Sequence, residues 1–118
     1  MTPADEPQLY FNPRCSKCRT AEGLLKEHGA EATLVRYLDQ APSVADLQVL
    51  MTQLGIDDPV EMMRTGEPVY SDLGLEGQPK EKMLAAIAEH PILLERPIFV
   101  FRGRAVIARP PERLLEIL

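Results

Sequence analysis

The sequence predicts an α/β fold running β-α-β, then a helical block, then β-β-α, and three observations carry that expectation. Leu9-Tyr10-Phe11 is a short apolar run that Asn12-Pro13 ends just before a helical stretch, and Thr33 to Tyr37 is rich in β-forming residues. The middle of the chain repeats its apolar residues at helical spacing. Near the C-terminus two further apolar runs flank Arg102-Gly103. A chain of 118 residues can bury one core but not two, so a single domain over residues 1–118 is expected.

The first helix carries Leu24 and Leu25 inside and ends at Gly29. With a strand on either side it makes a βαβ unit of roughly 30 residues, so its crossover should be right-handed and its strands parallel. Ser43-Val44-Ala45-Asp46 reads as a capping box with Asp where Glu is usual. Leu47, Leu50, Met51 and Leu54 follow at helical spacing up to Gly55, which predicts a helix from Ser43 to Leu54. Asp58-Pro59 opens a short helix expected to reach Arg64 and stop at Thr65-Gly66, which sets Arg64 on its last turn. Another helix begins near Pro79 and carries Met83, Leu84, Ile87 and Ala88 before Pro91. Ile98 to Phe101 and Arg104 to Ala108 form a hairpin turning at Arg102-Gly103, and Pro110-Pro111 opens a last helix through Leu114, Leu115 and Leu118.

Composition narrows the function classes. The net charge is -5, without the dominant basic surface of a nucleic-acid binder. No apolar run approaches the ~20 residues of a membrane span. Met1 to Pro7 is polar and acidic, unlike a secretory signal. The expectation is a cytoplasmic monomer with neither a membrane nor a nucleic acid as partner.

Chemistry concentrates at Asn12-Pro13-Arg14-Cys15-Ser16-Lys17-Cys18. Cys15 and Cys18 are the only cysteines, and Asn12 to Arg19 holds Arg14, Lys17 and Arg19 with no acid. His28 and His90 lie too far apart to complete a zinc site, so no metal is expected, and both sit where they cap helix C-termini. A cysteine in the first turn of a helix meets unpaired N–H groups and the positive end of the helix dipole, which favour thiolate. Arg14 and Lys17 should push the same way. Cys18 follows three residues later on the same face, so a Cys15–Cys18 disulfide is feasible. Cys-x-x-Cys after a strand in a βαβ unit is a redox signal. The alternative is two buried cysteines acting as small apolar residues.

The hairpin supplies a second constellation. A two-residue turn at Arg102-Gly103 pairs positions whose numbers sum to 205, which sets Arg96 opposite Arg109. Facing like charges repel unless something neutralises them, and an oxyanion between the two would do so. Each precedes a proline, which restricts its backbone to extended conformations. The alternative pairs Arg96 with Glu95, Arg109 with Glu112 and Arg64 with Glu61. Arginine at the first turn position is unusual, and a bulged turn would offset the pair by one. A phosphatase-like Cys-x5-Arg loop fails because position 21 is Ala21, and no Gly-rich phosphate loop exists.

With these residues in view the chain, from about Leu9 to Leu118, resembles the glutaredoxin-coupled arsenate reductase family. The motifs are Asn12-Pro13-Arg14-Cys15-Ser16-Lys17, Tyr37-Leu38, His90-Pro91-Ile92-Leu93, Glu95-Arg96-Pro97-Ile98 and Arg109-Pro110-Pro111-Glu112. The resemblance implies a thioredoxin-like (glutaredoxin-like) fold, a mixed four-stranded sheet with a helical insertion between the βαβ and ββα units. It implies that Cys15 attacks arsenate and that Arg64, Arg96 and Arg109 hold its oxygens, with Asn12 a further substrate-binding candidate. Pro97 is then the cis-proline opposite the active cysteine. No cofactor is bound: glutathione, as co-substrate, attacks the Cys15–arsenate adduct, glutaredoxin removes the glutathione, and arsenite leaves.

Two positions depart from that pattern. Phe11 stands where better-studied members carry a histidine, and Cys18 replaces a non-cysteine residue. Cys-x-x-Cys at this point is instead typical of the related Spx-type regulators, so a redox switch binding RNA polymerase is the main alternative, with a general thiol-disulfide oxidoreductase beside it. Arg109, which the regulators lack, favours the enzyme. Cys18 also permits another finish, in which it attacks the Cys15 adduct as a resolving thiol and thioredoxin reduces the resulting disulfide.

Overall fold

Strand β1 (Gln8–Tyr10) lies inside a four-stranded sheet of order β2-β1-β3-β4, with β2 at Thr33–Val35, β3 at Ile98–Phe101 and β4 at Arg104–Ile107. The computed structural model describes residues 7–118; the expectation that the N-terminal segment is not a secretory signal falls outside them. β1 pairs with β2 in parallel and with β3 antiparallel, and β3 pairs with β4 antiparallel. This is the mixed sheet the sequence predicts. Strand β2 stops at Val35, and Tyr37, expected within it, is buried just beyond.

The chain divides into two units. The first joins the described residues up to Tyr37 to Arg96–Leu118 and so contains the whole sheet. Helix α1 (Ser16–Glu27) packs against a closing 3-10 segment, Pro111–Glu116. Around them Leu9, Leu25, Phe99 and Leu114 form a core in which both cysteines take part. Ile98, Phe99 and Val100 are all buried, which is why this strand reads as a continuous apolar run and not an alternating one. The closing helix, expected to run through Leu118, is a 3-10 segment that ends at Glu116.

The hairpin has no bulge. Arg102 at φ 52° and Gly103 at φ 75° both adopt the left-handed conformation that a tight primed turn requires. Phe101 pairs with Arg104 and Ile98 with Ile107, and beyond the strands Ala108 N–H donates to the Pro97 carbonyl at 2.9 Å. The register therefore continues to the hairpin base.

The second unit, Leu38–Glu95, is the helical block. Ser43 and Asp46 form the expected capping box at the start of α2 (Val44–Leu54), and Gly55 ends it at φ 73°. α2 packs against α4 (Lys80–Glu89), and Leu47 and Leu50 of the one and Met83, Leu84 and Ile87 of the other are buried. The sequence reading missed α3 (Pro68–Asp72), only five residues long.

One boundary differs in a way that matters. The turn opened by Asp58-Pro59 is a 3-10 segment ending at Met62, so Arg64 is not on its last turn. Met63 instead bridges Leu94, Arg64 N–H donates to the Leu93 carbonyl at 2.7 Å and Glu95 N–H to the Met62 carbonyl at 2.8 Å. Pairing with an extended segment satisfies backbone groups that another helical turn would have used.

Candidate active site

The loop before α1 is organised by Asn12. Its side-chain oxygen accepts from Arg14 N–H at 3.0 Å and its carbonyl from Cys15 N–H at 2.9 Å, a local turn that delivers Cys15 to the N-cap. Cys15 has the extended backbone of an N-cap residue, φ -92° and ψ 119°. The side chain makes no capping hydrogen bond, yet the Cys18 and Lys17 amides bear on it.

The two thiols are pulled in opposite directions. Burial alone would raise Cys15, but the Cys18 amide, the Cys18 thiol, the Lys17 amide and the Arg109 charge together outweigh it and hold the group below the usual thiol range. Cys18 is fully buried, and burial first, then the neighbouring Cys15 sulfur, pushes it up to about 12 against the opposing pull of the Asn12 amide and Arg109. Cys15 is therefore the readier of the two to ionise, and Cys18 the one that keeps its proton.

The positive charge acting on Cys15 is not the one expected. Arg14 and Lys17 are exposed, and Lys17 contributes through its amide, because charges held out in water are strongly screened. Arg109 acts from the hairpin base.

Arg109 and Arg96 are neighbours there, as the register predicts, but not as two bare charges. The Arg109 guanidinium donates from Nη1 to the Arg96 carbonyl at 2.9 Å. Among the described residues neither arginine has an acid within ion-pair distance, and Nε and Nη1 of Arg96 are buried without an acceptor. Unmatched buried donors on a half-buried cation favour an incoming anion. The Arg96–Pro97 and Arg109–Pro110 peptide bonds are both cis.

Arg64 belongs to the second unit, held by Glu67 at 3.0 Å and by Glu95 at 3.9 Å and not by Glu61. A cavity of about 800 Å³ in that unit, lined in part by Asp58, Thr65, Tyr70 and Glu76, includes none of the candidate residues. Among the described residues no group of three His, Cys, Asp or Glu side chains is placed to hold a metal, and no helix is long and apolar enough to cross a membrane.

The ArsC family model matches residues 10–117. The chain belongs to the ArsC family. Among its ArsC relatives, an arsenate reductase of Neisseria meningitidis is 41% identical over 115 residues, spanning 96% of this chain and 98% of its own. An arsenate reductase of Haemophilus influenzae is 42% identical over 112 residues, 93% of this chain and 97% of its own. The solved structure of an arsenate reductase from Vibrio cholerae matches with TM-score 0.93 and 42% identity over 97% of this chain and 98% of that one. The fold is thioredoxin-like.

Within this ArsC chain, sequence reasoning missed three features of the site. Asn12 shapes the cysteine loop through hydrogen bonds to its own neighbours, Arg109 is anchored by a backbone carbonyl, and the second arginine-proline bond is cis like the first. The Asn-Pro pair is a turn signal that could have found the first; backbone acceptors leave no mark in a sequence.

Proposed function

We propose that this chain reduces arsenate to arsenite through the thiolate of Cys15, with Arg96 and Arg109 receiving the oxyanion. The observation that carries this reading is the hairpin base, where an arginine with buried, acceptorless donors adjoins the arginine whose charge favours the Cys15 thiolate. The family and the arsenate reductases it resembles over nearly its whole length support the same substrate.

The Cys15 sulfur forms a bond to arsenic as an arsenate oxygen leaves as water, taking two protons, so arsenic remains at the +5 level in a sulfur–arsenic adduct. A second thiol then attacks the Cys15 sulfur. The sulfur–arsenic bond breaks with its electron pair going to arsenic, arsenite departs, and two thiols have become one disulfide. Both electrons come from thiols, so the reading needs no bound cofactor. Arginine donors held in place before the reaction lower the cost of charge on the oxyanion. The family pattern makes glutathione, recycled by glutaredoxin, the outside thiol, and two unbridged cysteines suit the reducing cytoplasm.

The test is NADPH oxidation coupled in parallel through glutathione reductase, glutathione and glutaredoxin and through thioredoxin reductase and thioredoxin. Oxidation should depend on arsenate and vanish in Cys15→Ser. A rate unaffected by arsenate with both systems overturns the reading in favour of a regulator or a general thiol oxidoreductase.

A further inference from the structure

Cys18 is a nucleophile in waiting that the glutathione route leaves idle. It occupies the third residue of α1, directly below the N-cap Cys15, and an extended N-cap residue folds its side chain back over that position. Cys18 is fully buried in the core with Leu9, Phe11 and Phe99, whereas Cys15 keeps 9% of its surface. Of the pair, Cys15 is the one that a reagent from solution meets first.

We propose that Cys18 is the resolving thiol of this chain, so that each turnover ends in a Cys15–Cys18 disulfide that a protein dithiol, and not glutathione, reduces. This rests on the arsenate reductase reading and extends it to the second half of the reaction. The Cys18 sulfur bonds to the Cys15 sulfur, the sulfur–arsenic bond gives its electron pair to arsenic, and arsenite leaves carrying the Cys18 proton and one from solvent. The chain has then lost two thiol hydrogens and arsenic has gained two electrons. Exchange with an outside dithiol begins at Cys15, the less buried residue of the two, and expels Cys18 as the leaving thiolate, which takes up a proton.

Formation of the adduct itself arms the second thiol. Before arsenate binds, the neighbouring Cys15 sulfur helps to hold the Cys18 proton, adding to the effect of burial. Once Cys15 is bonded to arsenic that hold is gone, while the Asn12 amide and Arg109, which favour ionised Cys18, remain. Attack is suppressed before arsenate arrives and released after it.

The deciding experiment is a single turnover of the fully reduced full-length chain with arsenate and no other thiol, followed by thiol titration, mass measurement and arsenite assay. The expected result is one arsenite per chain, a fall from two free thiols to none, and a mass lower by two hydrogens. Cys18→Ala should release no arsenite until glutathione is added. Arsenite that forms only with glutathione and glutaredoxin, with both thiols of the parent intact, overturns the resolving role and leaves arsenate reduction standing. No arsenite with any reductant overturns both.

Discussion

Across the base of the hairpin the Arg109 guanidinium donates to the carbonyl oxygen of Arg96, 2.9 Å away, joining two residues thirteen positions apart. The bond fixes where the Arg109 charge sits, and that charge favours the ionised form of Cys15. Arg109→Ala should therefore raise the Cys15 midpoint in an alkylation-rate profile against pH and lower arsenate turnover by about 10²–10³-fold, the usual cost of losing an oxyanion donor. Arg109→Lys keeps the charge without the forked geometry and should restore the alkylation profile more than the turnover. Equal turnover in parent and Arg109→Ala would remove this residue from the site.

The buried Cys18 thiol ties stability to alkaline pH. Its folded value is raised to about 12, so its contribution is full below the free-thiol range near ~8.5 and is lost as pH rises from there toward 12. Over that window the unfolded chain gives up a proton that the folded chain keeps. One unit above the free-thiol value the loss should be about 1.4 kcal/mol, a fall of several degrees in Tm. Cys18→Ala should flatten the parent's decline between pH 8.5 and 10; identical slopes would contradict the assignment. Cys15 acts with the opposite sign: its stabilisation is present above the free-thiol range and lost as pH falls through its lowered folded value.

At the hairpin turn Arg102 holds a positive φ with its guanidinium 5.0 Å from the Phe101 ring centre. Asparagine adopts that backbone more readily, and Arg102→Asn should gain about 0.5 kcal/mol after losing the ring contact. Gly103→Ala should cost about 1 kcal/mol, because Cβ meets the backbone at φ 75°. Urea denaturation midpoints for the two variants should move in opposite directions.

Ser43 and Asp46 cap α2 reciprocally, at 3.0 and 3.1 Å. Ser43→Ala should cost about 1 kcal/mol and leave the Cys15 alkylation rate unchanged. A change in that rate would mean that the capping box influences the thiol.

The legible parts of this fold were those set by short-range chemistry. Ser43 and Asp46 announced α2, and Arg102-Gly103 fixed a register that carries Arg96 to Arg109, because pairing about a two-residue turn leaves no freedom. Arg64 was misplaced because its backbone is decided by Leu93 and Leu94, thirty positions away, and not by the proline that starts the preceding turn. The opposed behaviour of Cys15 and Cys18 was hidden for a similar reason. Depth in the core depends on what β1, β3 and the closing segment bring to that side of α1, and the spacing of two cysteines says nothing of it.

The first unit is assembled from the two ends of the chain, with Leu9 paired to Phe99 in the sheet. Cys15 therefore leaves the ribosome long before Arg96 and Arg109 exist, and the positive charge that favours its thiolate arrives only with the last quarter of the protein. A nascent chain holds its cysteines before Arg96 and Arg109 are made. Closing the sheet across so long a separation makes this part of the fold slow to form relative to its helices. Assembly of the proposed thiolate site therefore waits until the residues after the helical block have been made.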